Sequence, residues 1–167
     1  MQLRPWILLI LVVGCAGRDP YRKLPEGERP FISAVDVFLD EEQIDAWVKT
    51  PDPLDRQRLA ESYGVTSKYD RLSVEEKEAV SRGEVLVGMS KDAVLMSLGP
   101  PYRIRRQYET AIEDYVESYQ YRYERTKRGE VFQSPPNSRS AYKNDVFERH
   151  VNFVREAVRE VVEVDVP

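Results

Sequence analysis

Apolar and polar positions divide the chain into stretches of different period. An unbroken apolar run, Trp6 to Val13, follows a single early positive charge, Arg4, and stops at Gly14-Cys15-Ala16. That layout is a secretory signal; the run is under half the ~20 apolar residues a transmembrane helix needs. From Ala16 to about Pro30 the sequence is rich in Gly, Pro and charge with no apolar period, and predicts a tether. Helical spacing begins at Asp40, where Gln43 can complete a capping box and Ile44, Trp47 and Val48 share one face. A second helix is expected from Pro53 to Tyr63, ended by Gly64, and a third from Ser73, whose Ser73-Val74-Glu75-Glu76 is another capping box, to Arg82-Gly83. Ser90 then caps a helix with Val94, Leu95 and Leu98 as its apolar stripe, closed by Gly99 and two prolines.

Beyond Pro101 the period falls to two. Tyr115, Tyr119, Tyr121 and Tyr123 alternate with Ser118, Gln120, Arg122 and Glu124, which predicts a strand. Tyr102 to Tyr108 is its expected neighbour, and Arg128-Gly129-Glu130 a turn into Val131-Phe132. Residues Gln133 to Ser140 read as a loop. The last stretch, Val146 to Val166, is open: Phe147, Val151, Val154 and Val158 suit a helix, whereas the valine density and the alternation Val162 to Val166 suit strands.

Cysteine usage sharpens the reading of the first segment. Cys15 is the only cysteine, so no intramolecular disulfide can form. Val12-Val13-Gly14-Cys15 resembles a bacterial lipobox. The resemblance implies cleavage between Gly14 and Cys15, diacylglycerol on the Cys15 sulfur and a fatty acyl chain such as palmitate on the new amino terminus. The other reading is a free thiol that happens to sit in an ordinary signal. Two or three acyl chains anchor stably at about 0.8 kcal/mol per buried methylene, so the lipidated chain is expected to stay on its membrane. Ala16 is not the Asp that marks inner-membrane retention in this lipoprotein class, which favours the periplasm-facing leaflet of an outer membrane.

Removing residues 1–14 takes Arg4 and moves the formal charge from −4 to −5, with 24 basic residues against 29 acidic. Mild acidity argues against nucleic acid. With 41% hydrophobic and 32% charged residues there is material for a core and no sign of wholesale disorder.

The segment Gly88-Met89-Ser90, Val94, Leu98-Gly99 and Pro101 resembles the SmpA/OmlA (BamE-like) family of outer-membrane lipoproteins, over roughly residues 84–165. The resemblance implies an α+β fold in which short N-terminal helices pack on a C-terminal three-stranded antiparallel sheet, a two-layer form similar to β-lactamase inhibitor protein domains. It implies that the last segment is a hairpin around Arg155-Glu156-Ala157, where the family has a turn glycine. It also implies an accessory role in outer-membrane protein assembly. The expected organisation is a signal at 1–14, a tether at 15–30, a helical segment at 31–83 and the family-like domain at 84–167.

Candidate chemistry is sparse. With His150 the only histidine and Cys15 assigned to lipid, cysteine-histidine catalysis and His/Cys zinc sites are excluded, and His150 reads as a strand-surface or hairpin residue. The pairs Glu41-Glu42 and Glu75-Glu76 are explained by helix starts rather than by a carboxylate dyad. No phosphate-binding glycine loop is present. Neither a catalytic site, a metal nor a cofactor beyond the covalent lipid is expected. Tyr119, Tyr121 and Tyr123 could form an interaction surface or simply pack beneath the helices. Two functions follow: a non-catalytic accessory or scaffold with an envelope protein partner, or a ligand- or peptidoglycan-binding lipoprotein using the sheet face or the Ser134 to Asp145 loop.

Overall fold

The structure, a computed structural model, describes residues 21–134 and 144–166. The helix starts follow the local capping chemistry. Helix α2 (Glu41–Lys49) opens on a complete capping box: Gln43 N–H donates to the Asp40 side chain, and the Gln43 side chain accepts from Asp40 N–H. Helix α3 (Pro53–Ser62) starts with its proline in the first turn and the Asp52 carboxylate accepting from Leu54 N–H and Asp55 N–H. Helix α5 (Val74–Arg82) repeats the capping box with Ser73 and Glu76, and Gly83 ends it at φ 65°. In α6 (Lys91–Leu98) the Ser90 hydroxyl accepts from Ala93 N–H, and Gly99 closes the helix at φ 73°.

Two further helices lie where no period was legible. α1 (Arg29–Val35), continued by a 3-10 turn at Asp36–Phe38, and α4 (Val65–Asp70) span seven and six residues, too short to show a repeating stripe. The expected tether is corrected here as far as it is described. Tyr21 and Leu24 are buried, the Tyr21 hydroxyl donates to Asp36 Oδ2 at 2.9 Å, and α1 begins at Arg29. Two isolated apolar anchors among charges and prolines are enough to dock a segment that composition alone marks as a linker. The Glu28 carboxylate holds both Nε and Nη2 of Arg56, at 2.6 and 2.7 Å, and Arg56 also donates to the carbonyls of Thr50 and Pro51. Arg56 is only 4% exposed, so each of these acceptors offsets the cost of burying its charge.

The sheet has five antiparallel strands rather than three. β2 (Asp114–Arg125) pairs on one side with β1 (Arg103–Glu109) and, further along, with the short β3 (Val131–Gln133). On its other side lies β4 (Asp145–Val154), followed by β5 (Ala157–Asp165) at the edge, giving the order β1-β2-β4-β5. The last segment is therefore a hairpin, with Val154 opposite Ala157. Arg155 occupies its turn at φ 57°, doing with a non-glycine residue what glycine does at least cost. A bulge follows, because Asn152 faces Glu160 while Phe153 faces Val158, leaving Arg159 as the extra residue.

The helices cover one face of this sheet. Tyr121, Val151 and Phe153 are fully buried and share one core with Ile32, Val35 and Val65 from the helical segment and with Met89 and Val94. The expected boundary between residues 83 and 84 is thus not a boundary of cores. Polar contacts cross it too: the Ser90 N–H donates to Glu76 Oε1 at 3.1 Å, and Lys68 pairs with Asp92 at 2.8 Å. Among the described residues no helix is long and apolar enough to cross a membrane.

Candidate functional site

Alternation along the strands decides which side chains face the helices. In β2 these are Tyr119, Tyr121 and Tyr123, which are 8%, 0% and 1% exposed. Tyr119 rests against Phe153, and Tyr123 stacks on Phe147 with ring centroids 5.5 Å apart. The reading of these tyrosines as an interaction surface is corrected: the helix layer takes that face, and the Tyr121 hydroxyl turns inward to donate to the Gly99 carbonyl at 3.2 Å. Burial pushes the Tyr121 phenol well above its ordinary pKa, as expected for a core tyrosine.

The motif residues lie where α6 meets the start of β5 and the lead into β1. Gly88 N–H donates to the Val158 carbonyl and Val158 N–H to the Met89 carbonyl, both at 2.8 Å, so Gly88 and Met89 lie along the outer side of β5 at its start. Ser90 bridges to Ala157, and Lys91 N–H donates to the Glu156 carbonyl at 3.2 Å. Met89 and Val94 are buried and Leu98 packs at the edge of the core. Gly99 ends α6, and Pro101 leads into β1. Gly14 and Cys15 lie outside the described residues.

The opposite face of the sheet has no helix over it among the described residues, and there the polar half of the alternation converges. Val116, Ser118 and Gln120 of β2 form the floor of a groove of about 310 Å3. Arg105, Gln107 and Glu109 of β1 make one wall, and His150 and Asn152 of β4 the other. The register fixes this grouping: Ser118 lies between Arg105 and Asn152, and Gln120 between Arg103 and His150. Gln120 is only 3% exposed although it lies on the helix-free face. The Ser118 hydroxyl is buried with no hydrogen-bond partner, a polar group left unsatisfied at the bottom of a polar groove.

Ion pairs and hydrogen bonds define both ends of the groove. At one end Arg159 reaches from the β5 bulge to Glu109 of β1, with Nη1 to Oε2 at 2.6 Å. At the other end the Tyr102 hydroxyl donates to Glu148 Oε1, and His150 Nε2 lies 2.8 Å from Glu148 Oε2. Burial works to raise the Glu148 pKa, but the hydrogen bonds from His150 and Tyr102 outweigh it and hold the carboxyl below its ordinary range. Burial and the bond to Glu148 push the Tyr102 phenol up to about 12. At neutral pH Glu148 is therefore an anion held by two donors, the Tyr102 hydroxyl and His150 Nε2.

His150 stands on a strand surface, where its sequence placed it. The Glu41-Glu42 and Glu75-Glu76 pairs sit in the first turns of α2 and α5. No group of three or more His, Cys, Asp or Glu arranged to hold a metal occurs among the described residues. Tyr102, Arg105, Gln107, Glu148 and Asn152 were not singled out from sequence. The polar half of the β2 alternation pointed to this face, but the walls come from strands up to about 30 residues away and needed the register. A second cavity of about 430 Å3 opens where β2 passes from β1 to β3, lined by Pro100, Pro101, Tyr102, Tyr121 and Ser134. It marks where the Ser134 to Asp145 loop departs. Ser134 N–H donates to the Arg122 carbonyl, Asn144 Nδ2 to Glu124 Oε2, and residues 135–143 lie outside the described residues.

No family model, no curated protein and no solved structure matches the chain.

Proposed function

We propose that the chain is a lipid-anchored bacterial envelope protein, held on the periplasm-facing leaflet of the outer membrane through Cys15, that works as a non-catalytic accessory by binding through the helix-free face of its sheet. One observation carries the binding half of this reading: a groove with a buried, unpartnered hydroxyl and amide-bearing walls lies on the sheet face that the helices leave bare. Concave sites with a few convergent polar groups are where proteins bind. The lipobox-like segment at Val12 to Cys15 supports the anchor, and the SmpA/OmlA-like motif supports a place in outer-membrane protein assembly. We read the helices on one face of an antiparallel sheet as the two-layer arrangement that this resemblance implies.

The groove also favours a second reading. Its volume, near the lower end for small-molecule sites, and its hydrogen-bonding walls suit a small polar ligand such as a peptidoglycan fragment. A photo-cross-linking residue at Asn152, in the central strand β4 and away from the sheet edges, separates the two when compared with one at Gln57 on the α3 surface. In membranes, a discrete protein adduct from position 152 and none from position 57 supports the accessory. Equal labelling from both positions, or none from either, overturns it, and a glycan adduct at 152 moves the function to ligand binding. The anchor is tested separately by Cys15→Ala, which is expected to block lipidation and leave the chain uncleaved; normal processing and membrane retention of that variant overturn it.

A further inference from the structure

The sheet ends in two edges of opposite charge, β1 and the part of β5 beyond Val158, where the backbone pairing with Gly88 and Met89 stops. β1 carries Arg103, Arg105 and Arg106 against one acid, Glu109. Beyond its bulge β5 carries Glu160, Glu163 and Asp165 and no basic residue. Both edges also expose apolar side chains: Ile104 (56%) and Tyr108 (51%) on β1, and Val161 (40%), Val162 (38%) and Val164 (37%) on β5. Charged side chains on an edge normally discourage pairing with another chain, but that protection works only against an edge of the same sign.

The backbone is complementary as well. Val166 N–H donates to the Val146 carbonyl, so alternation turns Val164 and Val162 toward β4 and leaves the backbone groups of Val161, Glu163 and Asp165 pointing outward. At the other edge the Gln120 carbonyl faces β1 and Arg103 lies opposite Gln120. Arg103, Arg105 and Gln107 therefore point inward, leaving those of Ile104, Arg106 and Tyr108 outward. In both edges the outward residues carry their side chains on the helix-covered side. The four long strands alternate in direction, so β5 of one copy and β1 of another meet antiparallel with both helix layers on the same side of a continuous sheet.

We propose that the chain associates head to tail, the β5 edge of one copy adding to the β1 edge of the next. In one register Glu163, which also pairs with Arg149 of its own copy, faces Arg106 and Val161 faces Tyr108 on one side of the sheet, while on the other Val162 faces Gln107 and Glu160 faces Glu109, whose charge Arg159 of its own copy takes up. Pairing of like edges is disfavoured, because two β5 edges bring three carboxylates each to one seam and two β1 edges bring three guanidiniums each. Contact between unlike surfaces does not close at two copies, so the association builds rings or rows. It rests on the sheet edges and not on what the groove binds, although Arg105 and Gln107 of β1 also belong to the groove wall.

Mixed disulfide trapping tests it. Gln107→Cys and Val162→Cys are made singly in the full chain carrying Cys15→Ala, which leaves no other thiol. Both positions turn their backbone inward, the arrangement that brings facing side chains closest across an antiparallel pair. Mild oxidation of an equal mixture is expected to give the mixed dimer in excess of either homodimer, and Arg106→Glu in the Gln107→Cys copy is expected to cut its yield roughly tenfold at low salt. Sedimentation equilibrium of the Cys15→Ala chain is expected to show concentration-dependent association that Arg106→Glu weakens, which association through the uncleaved apolar run Trp6 to Val13 would not do. A Val162→Cys homodimer that equals or exceeds the mixed dimer, a yield indifferent to Arg106→Glu, or a chain that remains monomeric into the millimolar range overturns the proposal.

Discussion

The two faces of one sheet have been put to different uses. On the helix-covered face β2 and β4 present Tyr119, Tyr121, Tyr123, Phe147, Val151 and Phe153, all at or below 8% exposed. On the other face, the residues in between are Ser118, Gln120, Glu148, His150 and Asn152: Glu148 lies against His150, Asn152 donates to Glu160 of β5, and the Ser118 hydroxyl has no partner. Both sets come from the same strands in the same register. The difference teaches that core packing and the proposed binding can be separated by a single step along the backbone: Tyr119, Tyr121 and Tyr123 build the core, and on the proposed reading the positions between them line the binding face.

The separation can be broken most severely at Tyr121. Tyr121→Ala removes a fully buried ring and its bond to Gly99, and is expected to cost about 3 to 5 kcal/mol in urea unfolding. A loss below about 1 kcal/mol would mean that the covered face is not the core. Next in size, Glu28→Ala leaves the Arg56 guanidinium buried without its carboxylate and is expected to cost about 2 kcal/mol. A neutral outcome would return residues 21–30 to the status of a tether.

A smaller effect concerns the bare face and pH. The Tyr102 phenol is raised in the folded protein from 10.0 to about 12, so the folded state holds its proton more tightly than the unfolded chain does. That contribution is complete below pH 10 and is lost as pH rises through 12. For Glu148 the sign reverses: its lowered pKa contributes above the ordinary carboxyl range and is lost as pH falls through the folded value. Tyr102→Phe is expected to lower the neutral plateau modestly, because the bond to Glu148 is lost, and to flatten the alkaline limb of stability against pH; an alkaline limb identical to that of the parent would show that Glu148 does not hold this proton. Smallest of all, Asn152→Ala gives up a partly exposed bond to Glu160 and is expected to change stability by about 0.5 kcal/mol or less. A cost comparable to that of Tyr121→Ala would erase the distinction between the faces.

Much of the covered face was legible in the sequence because its signals are local. Asp40 with Gln43, Ser73 with Glu76, and Ser90 fix helix starts within four residues, and the alternating tyrosines fix a strand by themselves. Tyr21 and Leu24 were missed because their burial depends on partners from the rest of the core and not on any period of their own. The hairpin at Arg155 was open from periodicity alone and came only from the family resemblance, because valines at helical spacing also alternate and the turn uses an arginine at positive φ where a glycine would have declared it. The extra strands and the groove are consequences of register. Nothing near Ser118 in the chain says that Arg105 and Asn152 will flank it.

The backbone pairing of Gly88 and Met89 with Val158 has a consequence for the order in which the molecule can be assembled. Its two partners are about 70 residues apart, so closing that contact carries a large loop entropy. The helices can form early, since their caps are local, but Met89 and Val94 have no finished surface to lie on until the last hairpin is made. A chain synthesised from its amino terminus therefore cannot complete its core until β5 is free. Deletion of β5 should leave a helical, collapsed species whose aromatic side chains have no fixed packing, rather than a smaller native protein.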